Sequence, residues 1–268
     1  MTAAATLDEL LDPLRADPAH AAVLLDVDGT LAPIVRHADD ATVPEATRTL
    51  LIAVAKRFGV VACVTGRRAA DARRIVSIGS ISYLGNHGSE LLRAGAVRPE
   101  VDREMQEWVR RVQAFAGKAL DESLSRKRVR LEDKGAIFAF HWRGAPDERA
   151  AEEAVREVAA RAEAEGLHTH WGRKVLEVRP PVSFDKGKGI RALLGGTDVS
   201  AALYAGDDAT DLDAFRALTD LAARGELETV VRVGVHSDEG PPEVDDEADV
   251  TVEGPGGVRH LLDALLRD

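Results

Sequence analysis

Two aspartates, Asp26 and Asp28, stand two residues apart at the end of an apolar run, in the stretch "VLLDVDGTL". Like charges at this spacing repel each other, so a bound cation or a reaction must compensate for keeping them together. Gly29 and Thr30 come next and suit a tight loop that feeds a turn. A D-x-D pair after a strand can also be a simple turn or a structural metal site, so its chemistry depends on what lies near it.

Three further stretches carry residue types that bind metal or phosphate: "TGR", "DKGKG" and "GDDATD". The candidates in them are Thr65, Gly66, Lys186, Asp207, Asp208 and Asp211. Each stretch also has a simpler interpretation. "TGR" alone is a weak signal of a phosphate site, and either Lys186 or Lys188 could be a surface residue. The acidic stretch could be a helix N-terminus stabilised by the helix dipole. Their joint occurrence, each at the end of a predicted strand or the start of a predicted helix, favours catalysis.

The elements around these stretches alternate between strands and helices over residues 20–92 and again after residue 182. The strands "AAVLL", "VVACV" and "AALYAG" are continuously apolar, which is typical of parallel strands covered by helices on both faces. We therefore expect an α/β fold with a Rossmann-like parallel sheet. Ligands of such sheets bind at the carboxyl ends of the strands, which is where the polar stretches fall. The acidic stretch "SDEGPPEVDDEAD" is expected to be a solvated loop.

This arrangement predicts phosphoryl chemistry. A hard divalent cation, magnesium, would hold Asp26 and Asp207 together despite their repulsion. Asp26 would attack phosphorus, and Asp28 would give a proton to the leaving oxygen and later take one from water. The reaction would then pass through an aspartyl-phosphate, which divides it into two easier steps. The phosphate would be bound by Thr65, Gly66 and Lys186.

Residues 94–179 follow a different rhythm, with a helix, two strands, a helix and two more strands. We interpret them as an α+β cap domain inserted into a core domain made of residues 1–93 and 180–268. Alternation along the strands leaves polar faces, whose members are Arg130, Glu132, Lys134, Glu177 and Arg179. Charged and hydrogen-bonding groups of this kind would suit a polyhydroxylated substrate, although an ordinary solvated sheet face gives the same pattern.

The stretches "DVDGTL", "TGR", "DKGKG" and "GDDATD" resemble the four motifs of the haloacid dehalogenase superfamily of phosphatases. More narrowly, "GNHGSE", "LEDKGAIFAFHWR", "GRKVLEVRPP" and "GDDATDLDAF" are similar to stretches of the trehalose-6-phosphate phosphatase family. The likeness extends over residues 20–265. It implies a haloacid dehalogenase-like core with a cap, and magnesium-dependent hydrolysis of trehalose 6-phosphate to trehalose and phosphate, a step of trehalose biosynthesis.

The resemblance also implies roles for single residues beyond the nucleophile and the acid/base. Magnesium would be held by Asp26, the backbone carbonyl of Asp28 and Asp207, with Asp208 or Asp211 in support. The sugar hydroxyls would contact Glu132, Lys134 and Glu177. Leu212 departs from the family pattern, which usually has glutamate there, and we expect it to point away from the metal. In "GNHGSE", Asn86 and His87 are candidates for substrate contacts, but His87 could equally fix its own loop.

The composition limits the partners and the location of the protein. The chain has 268 residues, of which 45% are hydrophobic, and a formal net charge of −11, which argues against a nucleic-acid partner. No apolar run reaches the roughly 18 residues of a membrane span, and the N-terminus lacks the pattern of a signal peptide. Cys63, the single cysteine, is expected to be buried in a strand. We therefore expect a cytoplasmic monomer that acts on a small sugar phosphate, with no nucleic-acid or membrane partner.

Three alternatives remain open from the residues. The protein could act by the same mechanism on another sugar or pseudo-sugar phosphate, or it could be a phosphomutase that uses the same aspartate pair. It could also be a catalytically silent sensor of a sugar phosphate. A sensor could dispense with the nucleophile or its lysine, whereas this chain retains both Asp26 and Lys186.

Overall fold

The computed structural model describes residues 6–35, 40–101, 103–133, 136–182, 185–237 and 240–267. The chain divides into two compact units, the core unit (Met1–Glu100 and Phe184–Asp268) and the inserted unit (Val101–Ser183). That the inserted unit sets substrate specificity stays a prediction. Within the described ranges, no helix combines the length and the apolar character that crossing a membrane requires.

The described residues form strands and helices that alternate along much of the chain. The strands are β1 (Ala21–Leu25), β2 (Val60–Val64), β3 (Ser82–Gly85), β4 (Glu90–Leu92), β5 (Glu100–Val101), β6 (Arg130–Asp133), β7 (Phe138–His141), β8 (His168–Gly172), β9 (Val175–Arg179), β10 (Ala201–Gly206), β11 (Thr229–His236) and β12 (Val250–Glu253). The helices are α1 (Leu7–Ala16), α2 (Glu45–Arg57), α3 (Ala69–Val76), α4 (Arg103–Ala119), α5 (Glu122–Arg126), α6 (Glu148–Ala164), α7 (Lys186–Leu194), α8 (Asp211–Ala223), α9 (Pro242–Glu247) and α10 (Gly254–Leu265). A single turn of 3₁₀ helix lies at Pro18–His20, and a tight turn lies at Asn86–Gly88.

The core unit is built on a sheet with the strand order β12-β11-β10-β1-β2-β3-β4-β5. The strands from β12 through β3 run parallel, and β4 is antiparallel to β3. Leu25, the last residue of β1, pairs with Ala205 on one side and with Cys63 on the other. Because β10, β1 and β2 end at the same level, the residues that follow them lie along one edge of the sheet.

The central strands are buried on both faces, which explains their continuously apolar sequences. On one face, Val23 and Leu25 of β1 join an apolar cluster with residues of α1, α2, α3 and α10. On the other face, Ala22 and Leu24 join a cluster with residues of α7 and α8. Replacement of a fully buried leucine such as Leu24 by alanine costs about 2–5 kcal/mol of stability. The two apolar layers therefore hold the ends of the strands at fixed positions.

The inserted unit contains a four-stranded antiparallel sheet with the order β6-β7-β9-β8. Leu176 and Val178 are buried in a cluster with residues of α4 and α6, as the alternation in "VLEVR" predicts. Glu132 pairs with Ala139, which pairs in turn with Glu177, so the two glutamates share the opposite face of the sheet. Trp142 is buried in the same cluster.

Two elements differ from the expectation. The prediction of a solvated loop near residues 237–249 is wrong, because this acidic stretch contains α9 and Val244 is buried against the second apolar layer. A helix of six residues with one buried side chain gives too weak a periodicity to be recognised. Helix α1 is likewise absent from the elements predicted above, although Thr6 and Glu9 form a capping box at its start that the sequence contains.

Candidate active site

Lys186, the first residue of α7, lies buried between two carboxylates. Its Nζ donates hydrogen bonds to Oδ1 of Asp26, at 2.9 Å, and to Oδ1 of Asp211, at 2.6 Å, and the side chain is 1% exposed. Burial opposes its charge, but the carboxylates outweigh this effect and raise the pKa of Lys186 above its ordinary value. Lys188, the other candidate, is exposed on α7. The structure thus places a permanent positive charge against the predicted nucleophile.

Asp26 follows β1 directly, and its backbone N–H donates to the carbonyl of Ala205 at 2.9 Å. Its side chain is buried, and this burial raises the pKa of Asp26 well above its ordinary value, against the opposing charge of Lys186. A nucleophilic carboxylate must be ionised. An additional positive charge next to Asp26 would favour that form.

Asp207, which follows β10, is the second buried carboxylate at this edge. Thr30 donates a hydrogen bond from Oγ1 to Oδ1 of Asp207 at 2.9 Å. Burial raises the pKa of Asp207 to about 7, although the bond from Thr30 works against it. Gly29 has φ +81°, and a Cβ there would lie 2.0 Å from Oδ2 of Asp207. The glycine of "DVDGTL" is therefore required both by its conformation and by the approach of Asp207.

Carboxylate oxygens of Asp26, Asp207 and Asp211 lie within 4.8 Å of one another, a group that could hold a metal ion. Burial and the neighbouring carboxylates raise the pKa values of Asp26 and Asp207, so a cation beside them would favour the ionised form of both. Oxygen donors of this type are the ligands that magnesium prefers. The residues present therefore fit a hard divalent cation.

Asp211 also has a structural role that the sequence did not show. Its Oδ1 accepts from Lys186 and from the hydroxyl of Tyr204, and its Oδ2 accepts from the backbone N–H groups of Asp207 and Asp208, each at 2.9 Å. Each carboxylate oxygen of Asp211 already accepts two hydrogen bonds. This arrangement suits a role in fixing the loop better than a role as a direct metal ligand. Gly206 is needed here, because a Cβ would lie 2.2 Å from Cγ of Asp211.

Asp208, Ala209 and Thr210, which lie between Asp207 and α8, are less buried. The side chain of Asp208 is 55% exposed, and its Oδ1 accepts from the backbone N–H and the hydroxyl of Thr210. Burial of Asp208 would raise its pKa, but Lys186 and these hydrogen bonds outweigh it and lower the pKa below its ordinary value. Leu212 is buried in the second apolar layer, away from the loop's polar side.

The "TGR" stretch follows β2 and brings an unpredicted residue to the site. Thr65 is buried, and its backbone N–H donates to the carbonyl of Leu84. Arg67 donates from Nε to Oδ2 of Asp28 at 2.6 Å and from Nη2 to Oδ1 at 2.6 Å. The sequence predicts only phosphate contacts in this stretch. The arginine is visible in it, but its partner, 39 positions away, is not.

Asn86 and His87 lie beside "TGR" in backbone conformations that non-glycine residues rarely adopt, with φ 46° and 53°. Nδ2 of Asn86 donates to Oε1 of Glu90 at 2.8 Å, so this amide stabilises its own loop. A Cβ on Gly66 would lie 2.7 Å from the imidazole ring of His87. The glycine therefore makes room for that ring. Holding a non-glycine residue in this left-handed backbone conformation costs about 1–3 kcal/mol of free energy, and such residues often occur at functional sites.

In the inserted unit, Glu132 is exposed, and Nε2 of His141 lies 2.8 Å from its Oε2, at hydrogen-bond distance. Glu177 and Arg179 are partly exposed on β9. Lys134, the remaining predicted sugar ligand, lies outside the described residues. The substrate-binding roles assigned to these residues stay predictions.

Comparison with known proteins identifies similar chains. A family model with the description trehalose-phosphatase matches residues 24–251. The trehalose-phosphate phosphatase of Mycobacterium avium (strain 104) is 34% identical over 230 residues, which are 82% of this chain and 56% of that protein. The chain thus spans about half the length of the curated relatives it matches first.

Solved structures show the same fold. The structure of Aspergillus fumigatus trehalose-6-phosphate phosphatase in crystal form 2 matches with a TM-score of 0.62 at 25% identity, over 99% of both chains. A haloacid dehalogenase-like hydrolase from Bacteroides thetaiotaomicron matches with a TM-score of 0.60 at 14% identity, over 91% of this chain and 98% of that one. The predicted α/β fold of the haloacid dehalogenase type is confirmed.

Proposed function

Since the chain belongs to the trehalose-phosphatase family, we propose that it hydrolyses trehalose 6-phosphate to trehalose and inorganic phosphate. The observation that carries the proposal is the contact of Lys186 with Asp26 at the carboxyl edge of the sheet, next to the buried carboxylate of Asp207. A nucleophile, a cation for phosphate and a metal-binding carboxylate meet there, as hydrolysis of a phosphate ester requires.

In the first step, an oxygen of Asp26 forms a bond to phosphorus while the bond from phosphorus to the sugar oxygen breaks. Asp28 gives its proton to that sugar oxygen, so trehalose leaves as a neutral alcohol. The ammonium group of Lys186 stabilises the negative charge on the phosphoryl oxygens. The products of this step are trehalose, the aspartyl-phosphate of Asp26, which is an acyl phosphate, and an ionised Asp28.

In the second step, Asp28 takes a proton from a water molecule while the water oxygen attacks phosphorus. The bond between Asp26 and phosphorus breaks, and the carboxylate is restored together with free phosphate. Asp28 now carries the proton that it needs for the next substrate. The same carboxylate thus serves as acid and as base in one cycle.

We propose that Asp26, Asp207 and the backbone carbonyl of Asp28 hold magnesium. When bound, magnesium supplies positive charge that favours the ionised carboxylates and reduces the repulsion between Asp26 and the phosphate. Asp211 supports this site by fixing the loop and Lys186, and Asp208 by capping the turn that follows β10. Thr65 and the backbone at Gly66 are proposed to bind the phosphate.

The sugar is proposed to bind the polar face of the inserted unit through Glu132, Lys134, Glu177 and Arg179. Two carboxylates separated by one strand, with Ala139 between them, can accept hydrogen bonds from several hydroxyl groups. Asn86 and His87 are proposed to stand near the substrate and to shape the loop beside Gly66. The cytoplasmic location, the monomeric state and the lack of nucleic-acid and membrane partners stay predictions.

The test is a phosphate-release assay over a panel of sugar phosphates, with and without magnesium. We expect the highest kcat/KM for trehalose 6-phosphate, and loss of release when magnesium is removed by a chelator. Release from a different sugar phosphate alone would reassign the substrate but keep the chemistry. No release from any sugar phosphate with magnesium present, or full activity of Asp26→Asn, would overturn the proposal.

A further inference from the structure

Arg67 holds both oxygens of the predicted acid/base. Nε and Nη2 of its guanidinium donate in parallel to Oδ2 and Oδ1 of Asp28, each at 2.6 Å. The two side chains are only partly exposed, at 17% for Arg67 and 37% for Asp28. A paired contact of this kind fixes the plane and the direction of a carboxylate, which a single hydrogen bond does not.

The backbone of Arg67 is itself held in place. Its N–H donates to Oγ1 of Thr65 at 3.2 Å, and its carbonyl accepts from the N–H of Asn86 at 2.7 Å. Glu90 joins the two loops, since its Oε1 accepts from Asn86 and its Oε2 from the N–H of Ala69 at 2.9 Å. The guanidinium therefore extends from a loop that is fixed on both sides.

We propose that Arg67 is the positioning residue for Asp28, an inference that rests on the proposed function. Asp28 must face the sugar oxygen in the first step and the attacking water in the second, and its carboxylate turns about two torsions. The paired hydrogen bonds from Arg67 restrict these torsions, and between the two steps, when Asp28 is ionised, the guanidinium also balances that charge beside Asp26. A lysine ammonium could contact either oxygen but could not reproduce the paired geometry.

The inference makes a prediction that depends on the leaving group. Proton donation by Asp28 matters most when the departing oxygen is a poor leaving group and least when it leaves easily as an anion. Phenyl phosphates that carry different ring substituents have nearly the same shape but differ in this property. A loss of Asp28 orientation should therefore slow phenyl phosphate more than p-nitrophenyl phosphate.

The experiment measures kcat/KM, which covers the steps up to formation of the aspartyl-phosphate, for a series of substituted phenyl phosphates. The variants are Arg67→Gln and Arg67→Lys, with Asp28→Asn as the reference for lost proton donation. Arg68→Gln is the matched control, since it removes the same charge from the adjacent, exposed residue. Thermal melting shows whether each variant folds. If Arg67→Gln does not fold, Arg67→Lys, which keeps the positive charge, provides the test.

We expect both Arg67 variants to lose about tenfold more kcat/KM on phenyl phosphate than on p-nitrophenyl phosphate, as Asp28→Asn does, within the 10²–10⁴-fold range of acid/base catalysis. Arg68→Gln should match the wild type over the series. An equal loss on all esters would show that Arg67 acts on folding or on phosphate and not through Asp28. If Asp28→Asn shows the leaving-group effect and the Arg67 variants do not, the inference fails while the proposed function stands. If the wild type releases phosphate neither from these aryl esters nor from any sugar phosphate, the proposed function fails.

Discussion

Asp26 and Asp28, the two aspartates of "DVDGTL", each contact a different basic side chain. Asp26 contacts Lys186, which comes from α7, and Asp28 contacts Arg67, which comes from the loop after β2. Their mutual repulsion is thus balanced by two different parts of the chain as well as by the cation predicted from the sequence. Because the two charges are compensated separately, replacing one cation should affect one carboxylate more than the other.

Lys186→Gln should lower kcat by about 10²-fold or more, because a fixed positive charge next to the transferred phosphoryl group is lost. Lys188→Gln is the matched control and should retain near wild-type activity, since Lys188 is exposed two residues away. Steady-state kinetics on trehalose 6-phosphate with saturating magnesium would measure both. Similar losses in the two variants would contradict the role given to Lys186.

The pKa of Asp207, raised to about 7, predicts a pH-dependent affinity for magnesium. A proton on Asp207 competes with the metal below this pKa, so the apparent affinity should fall about tenfold between pH 8 and pH 6. In the metal-free protein the buried carboxylate favours its protonated form, and Asp207 therefore contributes less stability as pH rises from about 4 through 7. Magnesium should then raise the melting temperature more at pH 8 than at pH 6.

Thermal melts with and without magnesium at both pH values would test this linkage. Asp207→Asn, whose amide does not titrate in this range, provides the comparison. If the shift caused by magnesium is the same at both pH values in the wild type, Asp207 does not titrate in the metal-free protein as inferred.

The loops that follow β1 and β10 depend on glycines that admit a neighbouring carboxylate. Gly29 lies against Asp207, and Gly206 lies against Asp211. The hydrogen bond from Thr30 to Asp207 also joins the ends of these two adjacent strands, between side chains that are 177 residues apart in sequence. The position of Asp207 is therefore set by the loop of β1 as much as by its own strand.

Gly29→Ala should reduce kcat/KM at least tenfold, because an added Cβ displaces Asp207 and a small misplacement of a catalytic group is costly. Gly95→Ala is the matched control. Gly95 also has a positive φ, of 73°, but a Cβ there would meet no heavy atom of the described residues within 4 Å. Both variants should lose some melting temperature from backbone strain. Only Gly29→Ala should lose activity, and retained activity in it would show that Asp207 tolerates the displacement.

The molecule as a whole consists of a parallel-sheet unit that contains the site proposed for the phosphoryl chemistry and an inserted antiparallel unit that carries a polar face. The core unit has an apolar cluster on each face of its sheet, and the inserted unit has a cluster of its own. If the inserted unit recognises the sugar as proposed, we expect that mutations can change this recognition without changing the chemistry.

Glu132→Gln and Glu177→Gln should each lower kcat/KM for trehalose 6-phosphate by about tenfold or more, because each removes a charged acceptor for sugar hydroxyls. The same variants should keep near wild-type activity on p-nitrophenyl phosphate, which lacks these hydroxyls. Glu157→Gln, on the exposed side of α6 in the same unit, is the control for loss of one charge. Equal losses on both substrates would contradict a role in sugar recognition.

The family, the fold class and the order of the strands and helices near the site could be predicted because they depend on local features. The apolar runs of β1, β2 and β10 are contained in short stretches of sequence. The short acidic helix α9 was missed, since its burial comes from contacts with distant elements. The resemblance of the motifs to the trehalose-phosphatase family is confirmed.

The sequence alone was enough to name the nucleophile, the metal-binding carboxylates and the lysine as candidates, because the chemistry of a phosphate ester calls for these residue types at strand ends. Folding decided which partners they meet. Arg67 with Asp28, 39 positions apart, and Thr30 with Asp207, 177 positions apart, are choices among many possible pairs of donors and acceptors. Such pairs depend on how strands and loops pack in three dimensions. A short stretch of sequence does not show which distant residue will lie beside it.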